Sequence, residues 1–228
     1  MEAWKYIETR QEEGVLWIFL NRPQKANALN ESLWFELEAA ARWAHQEPSV
    51  RVVVLAAHGK YFCSGIDFGM IQSLSQKFHS IDQGLRQEWL YQKIKALQKA
   101  FTALEECTKP VIAAVQGLCI GGGVDLITAC DMRYASLQAE FCVKEVDLAI
   151  VADVGTLQRL PKIIGEGMAR ELAYTARNVS AEQAREMRLV NRVYKDTQTL
   201  YEGVNTIAKL IASKSPLTIR NTVQIYLI

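Results

Sequence analysis

The segment from Val111 to Asp125, VIAAVQGLCIGGGVD, constrains the fold more than any other stretch of this chain. Five apolar residues in a row, Val111 to Val115, read as a strand buried on both faces, which calls for a sheet covered on two sides. Lys109-Pro110 stands just before it and stops the helix that precedes. Three consecutive glycines, Gly121 to Gly123, follow. Glycine loses more backbone entropy on ordering than any other residue, so three together need a reason. One reason is a tight turn from the strand into a short helix continuing through Val124 to Ala129. The other is close approach: a backbone without side chains lets an anionic group reach the amide donors at the start of that helix. The run IGGGVD lacks the GxGxxG spacing, and no Gly-Lys-Ser/Thr follows it, so neither a dinucleotide fingerprint nor a phosphate loop is present. Asp125 falls in the first helical turn, where an acid often serves only as a dipole partner.

Two further buried strands read as Val15 to Leu20 (VLWIFL), closed by Asn21-Arg22-Pro23, and Arg51 to Ala57 (RVVVLAA), closed by His58-Gly59. Shorter ones are expected at Met132 to Ala135 and Phe141 to Val143. Ser32 to His45 places Leu33, Leu37, Ala40 and Ala44 at helical spacing. The longest amphipathic pattern, Gly84 to Cys107, carries Leu85, Trp89, Leu90, Ile94, Leu97, Phe101 and Leu104, and predicts a helix of about six turns. Phe62 to Phe68 (FCSGIDF) reads as a loop. Helices are expected near Gly167 to Ala176, Ala181 to Arg188 and Tyr201 to Ser213, with Ser180 and Gln183 forming a capping box. Strands separated by helices imply crossover units and an α/β core with a helical last third.

Composition narrows the function. The chain has 228 residues, 50% hydrophobic and 22% charged, with 26 Lys and Arg against 25 Asp and Glu. That is enough for one well-packed core and too apolar for a largely disordered chain. A net charge of +1 gives no electrostatic case for nucleic acid or for an anionic membrane surface. Pro110 to Cys130 is interrupted by Gln116, the glycines and Asp125, and makes a poor membrane span. The N-terminal stretch is polar and acidic, unlike a secretory signal. Cys63, Cys107, Cys119, Cys130 and Cys142 are odd in number and contain no CxxC, which reads as buried free thiols in a reducing compartment. His45, His58 and His79 do not sit with Cys or carboxylates at metal-ligand spacing, so no metal site is expected.

Three segments taken together, NRPQKANALN at Asn21 to Asn30, FCSGID at Phe62 to Asp67 and IAAVQGLCIGGGVDLITACDMRYA at Ile112 to Ala135, resemble the crotonase (enoyl-CoA hydratase/isomerase) family. The resemblance runs in order from about residue 14 to residue 218. It implies a crotonase-like α/β fold, a spiral of ββα units over residues 1–190, with the start of a C-terminal helical region over residues 191–228. Relatives continue into further helices that cover the acyl pocket and support trimer contacts. The chain is therefore expected to be a shortened form or a fragment, with Ile225, Tyr226, Leu227 and Ile228 exposed. The resemblance also implies an acyl-CoA substrate whose thioester oxygen lies between the backbone N–H groups of Ile66 and Gly122. Lys25, Ala26, Ser64, Gly65, Asp67, Phe68 and Gly123 would surround the substrate and its coenzyme A, Lys25 near a phosphate. Coenzyme A enters as part of the substrate, no separate cofactor is implied, and a homotrimer or dimer of trimers is expected.

Hydratases of the family use two glutamates, one just after the glycine run and one further along. Here Asp125 and Glu145 stand at those places, and Asp153 lies in VADVGTLQRLP, where hydratases typically carry glycine and proline. The set of Asp125, Glu145 and Asp153 resembles the delta(3,5)-delta(2,4)-dienoyl-CoA isomerase branch. That branch implies conversion of 3,5-dienoyl-CoA to 2,4-dienoyl-CoA in fatty acid beta-oxidation, with a proton leaving carbon 2 and another arriving at carbon 6. The two carbons are too far apart for one carboxyl group. Glu145 is expected to take the carbon 2 proton, Asp153 to deliver one at carbon 6, and Asp125 to polarise or orient the pair. On their residues alone, Lys144-Glu145 and Asp153-Val154-Gly155 read equally as surface or capping acids. A hydratase or single-bond enoyl-CoA isomerase is the alternative, opposed by Asp125 in place of Glu and by Asp153. An inactive scaffold or RNA-binding relative is another. Against it, Ser32 to His45 offers one Arg and no Lys, although Lys93, Lys95 and Lys99 lie on the longer helix. With no Arg/Ser-rich transit peptide and no peroxisomal tripeptide, a cytoplasmic enzyme is expected.

Overall fold

In the computed structural model, which describes residues 4–226, the chain runs β1 (Ile7–Glu12), β2 (Val15–Leu20), α1 (Glu31–Gln46), β3 (Val52–Ala57), α2 (Phe68–Ser80), α3 (Arg86–Glu105), β4 (Val111–Val115), β5 (Leu118–Ile120), α4 (Gly122–Thr128), β6 (Met132–Ser136), β7 (Glu140–Cys142), α5 (Thr156–Ile164), α6 (Glu166–Thr175), β8 (Val179–Ser180), α7 (Ala181–Glu186), β9 (Arg192–Tyr194), α8 (Thr197–Ala212) and α9 (Pro216–Tyr226). The main sheet has the order β1-β2-β3-β4-β6-β9, and a small second sheet has the order β5-β7-β8. Only the edge strand β1 is antiparallel in the main sheet. The spiral follows from this order. β4 lies in the main sheet, β5 steps into the second and α4 returns; β6 and β7 repeat the step. The turn before them takes part as well, since Cys63 bridges to Cys119 in parallel.

The strands alternate their side chains between two cores, as a sheet buried on both faces must. Leu16, Ile18 and Leu20 face the larger core with α1, α3 and α4. Val15, Trp17, Val52, Val54, Ile112 and Ala114 face the other side, where Leu200, Val204 and Ala208 of α8 cover them. The five cysteines are free and buried.

The sequence pattern does not announce β1, β5, β8, β9 or the helices α2, α5 and α9. Residue 191 does not open a helical region. β9 extends the main sheet beside β6 first, and α8 and α9 follow. Ile225 and Tyr226 are exposed as expected; Leu227 and Ile228 lie outside the described residues. Among the described residues, no helix is long and apolar enough to cross a membrane.

Candidate active site

Beyond the C-terminal end of β3 the chain makes a loop that is stitched to two neighbours. Ser64 N–H donates to Ala26 O at 3.0 Å, Leu29 N–H to Gly65 O at 2.8 Å and Asp67 N–H to Leu29 O at 3.1 Å. On the other side Cys63 N–H donates to Leu118 O at 3.0 Å and Ile120 N–H to Cys63 O at 2.9 Å. The bonds of Leu29 go to the residues flanking Ile66, as in a parallel bridge, so the N–H of Ile66 itself points away from Leu29. Gly122 is the first residue of α4 and has no intrahelical acceptor. No hydrogen bond among the described residues occupies either amide.

Two glycines make the approach possible. Gly65 has φ +90°, and a Cβ there would sit 3.0 Å from Ile120 O and 3.6 Å from the Gly122 nitrogen. Gly121 has φ +52°, and its Cβ would meet Glu145 Oε1 at 3.1 Å. The turn and the close approach are therefore the same feature, since positive φ and missing side chains are both needed. Gly123 serves packing instead: its Cβ would press at 3.0 Å on Cys63.

A cleft of about 200 Å³ opens here, with Trp34, Ile66, Phe68, Leu97, Leu148, Ile150 and Val151 among its walls. Ser64, Gly65, Gly121, Gly122 and the three acids Asp125, Glu145 and Asp153 also line it. Asp125 is fully buried; Thr156 N–H donates to its Oδ1 at 2.6 Å, and Oδ2 has no partner among the described residues. Burial lifts its pKa to about 6, against the lowering pull of Thr156 and Arg159. Glu145 follows β7 on a 3-10 turn, and its Oε2 is likewise buried and unpartnered. Burial, then the like charge of Asp125, lifts its pKa to about 7. Burial also raises Asp153, which is half-buried. The neighbouring cation Lys144 is turned to Asp147. An apolar, acid-lined cavity beside two unoccupied amide donors can move protons while holding a negative oxygen.

α3 fixes the far wall. Gln98 Nε2 donates to Asp153 O at 2.6 Å. Arg159 donates from Nε and Nη2 to Glu105 Oε2 at 3.0 and 2.8 Å, and from Nη1 to Val154 O at 3.3 Å. Trp34 Nε1 donates to Leu97 O at 2.8 Å and ties α1 to the same helix. None of these roles was legible: Trp34 and Leu97 have the pattern of ordinary core residues.

Four of the residues read as substrate contacts lie off the cleft. Gly123 packs against Cys63, as above. Lys25 is exposed on a 3-10 turn, and Ala26 backs the loop through its carbonyl. The Asp67 carboxylate is committed elsewhere: it pairs with Arg22 at 3.0 Å and caps α2 by accepting from Gly69 N–H at 2.8 Å. Asn27 anchors the preceding loop, its amide donating to His58 O and Tyr61 O at 2.9 and 2.7 Å.

The family profile described as enoyl-CoA hydratase/isomerase matches residues 10–226, and the chain belongs to that family. Within it the chain is an isomerase, since isomerases by name share 44–49% identity with it over most of its length. The peroxisomal delta(3,5)-delta(2,4)-dienoyl-CoA isomerase of Arabidopsis thaliana is 49% identical over 97% of this chain and 81% of that protein. The mitochondrial enzyme of Mus musculus is 44% identical over 94% of this chain, which spans 66% of that protein's length. A Thermobifida fusca protein described as an enoyl-CoA hydratase, solved in complex with acetoacetyl-CoA, superposes with a TM-score of 0.85 at 33% identity, covering 97% of this chain and 86% of that one. These relatives correct one expectation. The curated isomerases are peroxisomal or mitochondrial, which overturns the cytoplasmic reading. Compartment signals are addresses read by receptors, and the folded core carries no trace of them.

Proposed function

We propose that this isomerase converts 3,5-dienoyl-CoA to 2,4-dienoyl-CoA, as the names of its relatives state for those proteins. The observation that carries the reading is one apolar cleft lined by three acids next to two unoccupied amides. The thioester oxygen sits between Ile66 N–H and Gly122 N–H. As Glu145 removes a proton from carbon 2, charge moves onto that oxygen, and fixed donors at the wall of an apolar cleft stabilise the enolate; one such donor is typically worth on the order of 10²–10³ in rate. The electron pair shifts along the conjugated chain and carbon 6 takes a proton from Asp153. Glu145 then holds the proton and Asp153 the charge, so one proton must pass between them before the next turnover. The like charges of Asp125 and Asp153 both raise Glu145, which keeps the three acids from ionising together.

Acyl-CoA binding is supported by the neighbours solved with CoA ligands. The expected homotrimer or dimer of trimers belongs to the same proposal. Val146, Leu148, Ile150 and Val151 stand exposed on the segment that bears the acids, and a monomer by sedimentation would overturn the assembly. The chemistry is tested by offering purified protein 3,5-dienoyl-CoA and, separately, 2-enoyl-CoA. The conjugated 2,4-dienoyl chromophore should appear with little hydration, and folded Glu145→Gln and Asp153→Asn variants should each lose it. Hydration alone, or full activity in both variants, would sink the proposal.

A further inference from the structure

We propose that the opposite end of the main sheet carries a second ligand site, for a phosphate dianion, built from Arg51, Lys109, Arg220 and Thr108. A cavity of about 300 Å³ lies there between the end of α1, the starts of β3 and β4, and the start of α9. Arg51 immediately precedes β3 and Lys109 lies just before β4, whereas the acid-lined cleft opens beyond the C-terminal ends of the same parallel strands. The two sites are thus at opposite ends of the sheet.

Three cations face this cavity, and none of them is in an ion pair among the described residues. Arg51 spends one donor on Lys214 O at 2.6 Å. The acid that acts on Lys109 is Glu47, which does not line the cavity and whose Oε1 is engaged by Ser49 N–H at 3.0 Å and Ser49 Oγ at 2.6 Å. Thr108 is 5% exposed, and its Oγ1 has no partner among the described residues. Its amide donates to His45 Nδ1 at 3.3 Å, and the His45 ring is itself on the cavity wall. Burial, then repulsion from Arg220 and Arg51, holds Lys109 below its ordinary pKa.

Charges of one sign gathered around a cavity, with a buried hydroxyl left unpaired, are in the arrangement that an anion satisfies. Three positive charges around one cavity suit a phosphate monoester, which carries about two negative charges above its second pKa near 6. Guanidinium forks suit phosphate oxygens and the ammonium acts as a point charge. Val50, Ile211 and Leu217 on the wall give an ester's organic part somewhere to lie.

Calorimetric titration of the full chain with inorganic phosphate and with phenyl phosphate, at constant ionic strength in chloride, tests the site. Saturable binding is expected, weakened at least about ten-fold by Lys109→Met and by Arg220→Gln, as for lost hydrogen bonds to charged groups. Arg220 is exposed, so that variant should keep its fold and its acyl-CoA turnover. Tighter binding of phenyl phosphate identifies an organic monoester as the occupant; equal binding identifies free phosphate. No saturable binding, undiminished binding in both variants, or benzoate binding as tightly as phenyl phosphate overturns the proposal.

Discussion

The Asp125 carboxyl is buried with one oxygen on the Thr156 amide and the other unpaired, and its pKa stands at about 6 against 3.8 for an ordinary Asp. The folded protein therefore holds a proton that the unfolded chain has already lost between those values. Where the native state binds more protons, stability falls as pH rises. Its contribution is complete below pH 3.8 and is lost as pH climbs through 6. Asp125→Asn keeps an acceptor for Thr156 and removes the titration. Wild type should lose about 2 kcal/mol relative to that variant between pH 4 and pH 7, which urea unfolding at several pH values measures. Glu145, lifted to about 7, predicts the activity profile. It must be ionised to act as a base, so kcat/KM should rise with pH through about 7. Glu145→Gln should remove the acid limb together with roughly 10²–10⁴ of the rate.

α3 positions the cleft's outer wall as a unit. Arg159 joins α5 to Glu105 on α3, and Gln98 on the same helix holds the Asp153 carbonyl. Arg159→Met would leave Glu105 unpaired and remove the cation that lowers Asp125. Loss of about 2 kcal/mol is expected, as for hydrogen bonds to charged groups, with the Asp125 pKa moving further up. Denaturant midpoints and the pH dependence of stability check the two effects separately. Elements differ in how far sequence reveals them. β2, β3, β4, α1 and α3 bury continuous runs or full stripes, and their patterns are strong. α2 buries only Met70, so no periodicity announces it, and its cap Asp67 reads as a ligand. β1 is a polar edge strand with Ile7 as its one buried residue. α5 contains Pro161, which in sequence looks like a stop. The glycine run and Asp125 are legible because close approach demands glycine. Glu145 and Asp153 hang on a 3-10 turn and an irregular loop, where spacing carries no directional information. Resemblance alone brought them together in advance.

The two cores share the strands of one sheet, so neither side can unfold while the other keeps its packing. Val53 and Leu55 face the larger core and Val52 and Val54 the one under α8, all on β3. The cleft draws its walls from α1, the loop after β3, α3, α4 and the segment from Lys144 to Val154. A ligand there ties together residues distant in sequence and binds only the folded chain. An acyl-CoA at 100 times its Kd should stabilise the protein by about 2.7 kcal/mol. Because β3 couples both layers, the whole unfolding transition should move as one, with α8 lost in the same step as the acid-bearing segment. Calorimetry with and without ligand distinguishes this from the alternative. A second transition that stays in place would mean that the α8 layer opens by itself and that the shared strands do not transmit the binding energy.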